Sequence, residues 1–380
     1  MHNNNSPIEY ICLVGDTGGD FIVPTTLHGT SDYQFSLLEG DDPLPDAAVG
    51  RLSYNSLGEL RRMVRKILQY EREPDLDNME WLRRGAVIAG NEISGISTIL
   101  VSKWARDKML SNGFTHVDTL WYTMEQSVEE SFRRSVNAGV SFISYRGWTG
   151  LEDFTPREAR QLANRNLPVA LLLGCSTGNF NGRGAGYTEA LLRAEGGAIG
   201  AIGNSTLQSR VNYNNALMAG FYKAVLDDGA YRLGWILNRA KLELFATYGA
   251  FGRQNVISHA YWTNLMGDPG TIIWTGTPRE VDVEFAGDVE INNEPIEVSV
   301  TFNNEALSGV RVGLYKENEI VMSEFTNDEG LAIFEYQSVD VTAGDGFITV
   351  TGDKILPNTT DINFVLSNQM IAYDSHEVND

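Results

Sequence analysis

The sequence predicts an α/β protein with a doubly wound, mainly parallel sheet, followed by a small β-sandwich. Short continuous apolar runs alternate with amphipathic helical segments over residues 9–275, which is typical of a parallel sheet covered by helices on both faces. The connections are short, so right-handed crossovers are expected. Beyond GTPREV (276–281) the hydrophobic period changes to two, which indicates half-buried strands.

The core strands are expected in six apolar runs, because short apolar runs bounded by turn residues suit strands that are buried on both faces. The runs are YICLVGD (10–16), GAVIAGN (85–91), VDTLWYT (117–123), VSFISYRG (140–147), PVALLLGC (168–175) and AIGAIGNS (198–205). The fifth run leads directly into a loop of small residues.

Capping sequences mark where the helices between these strands begin. SLGE (56–59) is a capping box that predicts a helix through about Glu73, with an apolar stripe on one side. The stripe consists of Leu60, Val64, Ile67 and Leu68. SVEE (127–130) and TPRE (155–158) open two more helices, the first ending at Gly139. Further helices are expected near 97–111, in TEALLRAEGG, near 214–228 and near 231–248.

Residues 277–367 are expected to form a separate domain after a first domain of residues 1–276. The runs IEVSVTFNN, VRVGLYKEN, IVMSEFTNDEG, LAIFEY and GFITVTG alternate apolar and polar residues between turns. Several short strands of this kind suggest a β-sandwich of immunoglobulin type, although the Cys…Trp…Cys core of antibody domains is not present. The polar tail, residues 368–380, is expected to be poorly ordered.

Composition argues against several classes of partner. The chain carries 50 acidic and 29 basic residues, a net charge of −21, so nucleic acid and anionic membranes would be repelled. Acidic loops suit Ca²⁺, although solubility alone is enough to explain the charge. No apolar run approaches the roughly 18 residues of a membrane span, and no signal peptide is visible. The two cysteines, Cys12 and Cys175, cannot form a disulfide framework.

Cys175 stands where the apolar run LLLG ends in a loop of small residues. Ligands collect at the carboxyl ends of the strands in open α/β sheets. The loops YRGWTGLEDF (145–154) and GCSTGNFNGRGAG (174–186) follow consecutive strands, so they are expected to face each other. Two interpretations of Cys175 stay open: a catalytic nucleophile, or a small buried apolar side chain. Cys12 is expected in the core, and no phosphate-loop or metal motif is present.

The order and spacing of several motifs resemble the gingipain family of cysteine peptidases. The motifs are LVGD (13–16), GRLSYNSLGELRRMVRKILQYERE (50–73), VSFISYRGW (140–148), LLLGCSTGNF (171–180) and NLMGDPGTII (264–273). The resemblance implies a caspase-like fold followed by an immunoglobulin-like domain. It also implies a fragment that lacks the N-terminal subdomain found upstream of LVGD in the family.

The resemblance implies that Cys175 is the nucleophile of a peptide-cleaving site. The cleft and oxyanion residues would be Gly147, Trp148, Thr149 and Gly174. The family's catalytic histidine belongs in a strand-end Tyr-x-Gly-His-Gly motif, but here the sequence is Tyr-Arg-Gly-Trp-Thr, with Trp148 in the histidine position. Glu92 falls near the acid that would orient that histidine. The oxyanion would be held by the Cys175 backbone N–H and one from the 147–149 turn.

The substitution by Trp148 removes the expected base and acid, because an indole donates one hydrogen bond but cannot carry a proton back and forth. His116 precedes a core strand, at the wrong end of the sheet. His28 and His259 lie in loop-like stretches that would approach the site only by favourable folding. Arg146, or the helix N-terminus after the cysteine loop, could lower the thiol pKa without supplying an acid.

Three functions therefore remain open at this stage. The chain is a cysteine endopeptidase, a catalytically silent homologue whose cleft binds peptides, or a structural module of a large secreted protein. The resemblance implies a polypeptide substrate, an extracellular or cell-surface location, and links to further domains. It also implies structural calcium, with no ligands that can be assigned, and a chemistry that needs no cofactor.

Overall fold

The structure is a computed structural model that describes residues 8–25, 30–90, 94–121, 127–182, 184–292, 294–337 and 340–366. The chain divides into two compact units, one ending at Thr277 and the other beginning at Pro278.

The first unit is built on an eight-stranded sheet in the order β1-β2-β8-β7-β6-β5-β3-β4. The strands are β1 (Tyr10–Val14), β2 (Ala48–Leu52), β3 (Arg84–Ala89), β4 (His116–Trp121), β5 (Phe142–Thr149), β6 (Val169–Cys175), β7 (Gly200–Asn204) and β8 (Thr263–Met266). The five neighbouring strands β4, β3, β5, β6 and β7 pair in parallel, and β8 runs antiparallel to β7. The carboxyl ends of those five strands therefore meet at one edge, where the amino end of β8 also lies.

The helices of the first unit are α1 (Leu57–Arg72), α2 (Ile96–Ser111), α3 (Val128–Ala138), α4 (Pro156–Ala159), α5 (Tyr187–Arg193), α6 (Val211–Leu226) and α7 (Leu233–Trp262). The described residues of this unit also contain the 3₁₀ turns Tyr33–Ser36 and Glu80–Arg83. The predicted caps are present, because the Ser56, Ser127 and Thr155 side chains each accept a hydrogen bond from a backbone N–H three residues later. The predicted doubly wound, mainly parallel α/β fold is confirmed.

The predicted apolar stripe of α1 is only partly buried. Ile67 is in the core, whereas Val64 and Leu68 are exposed. The helix instead inserts Lys66, whose Nζ donates to the carbonyl oxygens of Leu192, Ala194 and Gly196 at 3.0, 3.1 and 2.5 Å. With Lys66 on its buried side, helix α1 is oriented so that part of its apolar side faces outward.

The second unit contains two sheets of half-buried strands, as the period-two pattern predicts. Its strands are β9 (Asp282–Glu284), β10 (Asp288–Ile291), β11 (Ile296–Phe302), β12 (Glu305–Ala306), β13 (Arg311–Lys316), β14 (Ile320–Phe325), β15 (Leu331–Phe334), β16 (Gly344–Gly352) and β17 (Ile355–Leu366). One sheet has the order β10-β17-β16-β13-β14; the other is β12-β11-β15, with β9 also paired to β11. The strands pair antiparallel except β10, which runs parallel to β17. Alternate residues such as Val298, Val312 and Ile348 fill one core. This β-sandwich follows the α/β unit, as expected.

Candidate functional site

The predicted cleft residues meet where β5 and β6 end. Thr149 pairs with Cys175 after a register shift that begins at Arg146, and the Gly150 N–H donates to the Cys175 carbonyl at 3.0 Å. Gly147 lies at this shift, where a Cβ would stand 1.9 Å from the Tyr145 hydroxyl oxygen. A glycine is needed here because no side chain fits.

The loop after β6 is held firmly against the next strand. Ser176 adopts a positive φ of 57°, which is uncommon for a residue with a side chain, and its N–H donates to the Thr206 carbonyl at 2.9 Å. Gly178 donates to the Asn204 carbonyl at 2.8 Å. Gly174 packs its Cα against the β5 turn, since a Cβ there would lie 3.4 Å from the Trp148 carbonyl oxygen.

Cys175 presents its thiol to the beginning of α6. The sulfur lies 3.2 Å from Ser209 Oγ and 3.7 Å from the Ser209 carbonyl oxygen. Only 9% of the residue is exposed. Asn214 Nδ2 donates to Ser209 Oγ at 3.4 Å, so the hydroxyl that contacts the thiol is itself held by a buried amide.

Trp148, which the resemblance puts in the family's histidine position, is half-exposed at the end of β5. Its indole offers one donor and no basic nitrogen. The side chain is therefore suited to contact a ligand, but not to accept the proton of the thiol.

His259 lies inside helix α7, so the prediction of a loop-like position was wrong. Its imidazole is buried, and Nε2 lies 2.8 Å from Asn214 Oδ1. Because Asn214 Oδ1 can only accept, Nε2 carries the proton. Burial first, and then the Arg146 and Arg210 guanidinium groups, lower the pKa of His259 to about 3. The imidazole is neutral, and two polar side chains separate it from the thiol.

The other histidines do not contribute an imidazole to the described site. His116 begins β4, and therefore lies at the edge opposite to the thiol, where its Nε2 contacts Asp118 Oδ1 at 2.9 Å. His28 lies outside the described residues, as does the predicted orienting acid Glu92.

Arg146 ties three elements together beneath the site. Its buried guanidinium donates to the Leu173 carbonyl on β6, to the Val211 carbonyl at 3.0 Å, and to Asn215 Oδ1 at 2.6 and 3.2 Å. Burial lowers the pKa of Arg146 to about 9, although ionised Tyr145 or Cys175 would raise it. Among the described residues no carboxylate is hydrogen-bonded to this cation.

An open cleft of about 450 Å³ lies at the same edge, next to the cysteine loop. The loop contacts its wall directly through the bond from Ser176 to the Thr206 carbonyl. The lining residues are Thr206, Gln208, Gln254, Ile257, Ser258, Tyr261 and Trp262.

Sequence reasoning placed Cys175 and the β5 turn at the sheet edge, but it missed Ser209 and Asn214. Both come from the segment that starts α6, where no motif marks their chemistry. Their place in the sequence could have indicated them, because they follow the apolar strand β7, and the residues that follow such a strand reach the same sheet edge as the cysteine loop.

The described residues give no side-chain donor set for a metal. No group of three or more His, Cys, Asp or Glu side chains comes together among them. Structural calcium, which the resemblance implies, stays a prediction, because backbone and amide oxygens also bind Ca²⁺. Within the described residues, no helix has the length and apolarity to cross a membrane.

Comparison with known proteins places this geometry in a family. Residues 1–274 match the model of peptidase family C25. Gingipain R2 of Porphyromonas gingivalis is 22% identical over 367 residues, covering 91% of this chain and 48% of that protein. Lys-gingipain of the same species is 21% identical over 384 residues, covering 92% of this chain and 21% of that protein. The chain thus spans about half the length, or less, of these relatives.

Two solved structures share the fold. The Arg-specific cysteine proteinase gingipain R superposes with a TM-score of 0.82 at 20% identity, covering 94% of this chain and 84% of that one. The complex of Porphyromonas gingivalis RgpB pro- and mature domains gives a TM-score of 0.83 at 20% identity, covering 94% and 86%. The caspase-like α/β unit followed by an immunoglobulin-like sandwich is thereby confirmed. The chain belongs to peptidase family C25, the gingipain-type cysteine peptidases.

Proposed function

We propose that the first unit binds an extended polypeptide segment at the sheet edge where β5 and β6 end, without cleaving it by the family's histidine-dependent route. The observation that carries this proposal is a thiol at the end of β6 with Trp148, and no imidazole, at the end of the neighbouring strand β5, where the resemblance implies the family histidine. The open cleft beside the cysteine loop provides the surface for a ligand.

Hydrolysis by Cys175 is the second candidate, and the placement of the thiol favours it. The thiolate would attack the scissile carbonyl carbon, forming a C–S bond, and the C–N bond would then break as the amine leaves with a proton. Water would hydrolyse the thioester and release the acid. The Cys175 N–H and one from the 147–149 turn would hold the oxyanion.

This second route needs a group that takes the thiol proton and returns it to the amine. Ser209, whose side chain contacts the thiol, is a hydroxyl and not a general base near neutral pH. His259 is neutral and reaches the thiol only through Asn214 and Ser209, and an amide does not relay a proton. The described residues therefore favour binding over turnover.

One experiment separates the two candidates. A fluorogenic peptide library and an acyloxymethylketone probe are applied to the wild type, to Cys175→Ala and to Trp148→His. We expect no cleavage and slow labelling by the wild type, and faster labelling of Trp148→His near pH 7, because an imidazole there would lower the thiol pKa.

Cleavage by the wild type that disappears in Cys175→Ala would overturn the proposal in favour of the endopeptidase. In that event His28→Ala shows whether a histidine outside the described residues supplies the base. The matched control is His116→Ala, which removes an imidazole from the opposite edge.

The setting of the protein is proposed from the family. We place it outside the cell or on its surface, acting on polypeptides and joined to further domains in a longer protein. The lengths of the relatives support the last point, because Gingipain R2 is about twice as long as the matched region.

A further inference from the structure

Arg210 places an exposed guanidinium next to the thiol contact. It directly follows Ser209, whose hydroxyl touches the Cys175 sulfur, and it occupies the N-cap position of α6. Its side chain lies over the Tyr213 ring, 5.8 Å from the centroid. Among the described residues it forms no ion pair, so its charge is free to meet a ligand.

The buried charge of Arg146 adds to that of Arg210. All of its contacts among the described residues are with neutral carbonyl and amide oxygens, so its charge is not cancelled locally. His259, on helix α7, is close enough to feel both charges: after burial, the Arg146 and Arg210 guanidinium groups lower its pKa. Two guanidinium groups thus lie near the thiol contact in a chain of net charge −21. The carboxylates of the loop after β5 are engaged elsewhere, Glu152 by the Tyr145 hydroxyl and Asp153 by the Glu129 N–H.

The described lining of the adjoining cleft offers no counter-ion for a basic side chain. Its lining consists of hydroxyl, amide, aliphatic and aromatic groups, and no carboxylate lines it among the described residues. A lysine or arginine of a ligand would lose water there without gaining a counter-ion, which is costly. A carboxylate would find amide and hydroxyl donors, and a guanidinium with bidentate geometry.

We propose that this edge selects a ligand that carries a carboxylate, and that Arg210 is the residue that recognises it. This proposal specifies the ligand of the proposed peptide-binding site, and it rests on that proposed function for the assumption that the ligand is a peptide. An internal Asp or Glu and a free C-terminal carboxylate share this chemistry. The preference is opposite to that named for the Arg-specific relative, in agreement with the two guanidinium groups near the thiol.

The first test measures charge selectivity without a peptide. Cys175 is alkylated with iodoacetate and with iodoacetamide in a Cys12→Ser background, and the ratio of the two rates is compared with that for neutral N-acetylcysteinamide. Both reagents have similar size, so restricted access to the thiol cancels in the ratio. We expect the ratio to exceed the reference about fivefold to tenfold at low salt, as expected for electrostatic attraction, and to fall as salt rises.

Arg210→Glu is expected to bring that ratio to the reference value or below. The matched control is Arg61→Glu, the same charge change at an exposed position of α1 remote from the site. A wild-type ratio at or below the reference, or an equal loss in both variants, would overturn the proposal.

The second test uses fluorescent decapeptides with a central Glu, Gln or Lys, each prepared with a free or an amidated C-terminus, and follows their anisotropy with Cys175→Ala protein. We expect the Glu peptides or the free-acid peptides to bind at least about tenfold more tightly than the Gln amide, and Arg210→Glu to abolish the difference. Equal or tighter binding of the Lys amide would refute the carboxylate preference. If no peptide binds but the alkylation ratio still exceeds the reference, the proposed peptide binding is wrong, whereas the preference of this edge for a carboxylate is supported.

Discussion

Single residues show how far chemistry can be predicted from this sequence. The strand-end position of Cys175 was predictable, because a buried apolar run ends there in a glycine-rich loop. The location of His259 was not, because the helical φ/ψ pattern is interrupted at Gly252 and the helix then resumes. In the sequence, a glycine at which a helix is interrupted and then resumes looks the same as a glycine at which a helix ends.

Lys66 gives a pH-dependent prediction at this scale. Burial lowers its pKa to about 7 from the usual 10.5. Between these values the unfolded chain binds more protons than the folded chain, so stability rises with pH across this window, by at most about 1.4 kcal/mol per pH unit. Lys66→Met removes this contribution.

The measurement is urea unfolding of the wild type and Lys66→Met between pH 7 and pH 10. We expect the free energy of unfolding of the wild type to increase relative to the variant as the pH rises. Lys103→Met, at an exposed position of α2, is the control and should show no such trend. A constant difference between wild type and Lys66→Met would show that the lysine stays charged.

At the level of elements, the starts of helices were predictable and the faces they bury were less so. Local side-chain caps such as Ser127 and Thr155 determine where a helix begins, and they can be recognised in a few residues. The orientation of α1 depends on the three carbonyls that receive Lys66, which come from distant sequence. The short strands β2 and β8 were not foreseen, because their few residues gain their order from neighbouring strands.

The orientation of α1 can be tested with two adjacent truncations. Ile67→Ala removes a buried side chain and is expected to cost about 2–4 kcal/mol of unfolding free energy. Leu68→Ala alters an exposed side chain and is expected to change stability by no more than about 0.5 kcal/mol. Chemical denaturation of both variants checks this, and similar losses would indicate a different helix orientation.

For the whole molecule, the fold class followed from the alternation of strands and helices, since few topologies satisfy it. The function of the site did not follow in the same way. It depends on one side chain, Trp148, and on contacts such as Ser209 with Cys175 that join segments separated in sequence. The pattern of apolar and polar residues determines the architecture, whereas the chemistry of the site depends on the identity and contacts of single side chains.

The net charge of −21 leads to a prediction for the complete chain. We expect no retardation of double-stranded DNA in gel-shift experiments at 150 mM salt and protein concentrations of about 10 μM, because the phosphates are repelled. A basic DNA-binding protein serves as the positive control. Retardation that weakens as salt is added would show that local basic patches outweigh the overall charge.

The contacts of Arg146 have a mechanical consequence. The guanidinium joins the end of β6 to the first turns of α6, so Leu173, Val211 and Asn215 are cross-linked by one rigid planar group. The segment that bears Ser209 and Arg210 is thereby fastened to the strand that bears Cys175. A ligand would meet an edge that is already stiff and would lose little affinity in ordering it. Shortening Arg146 would remove these hydrogen bonds and leave the start of α6 free to move relative to the end of β6.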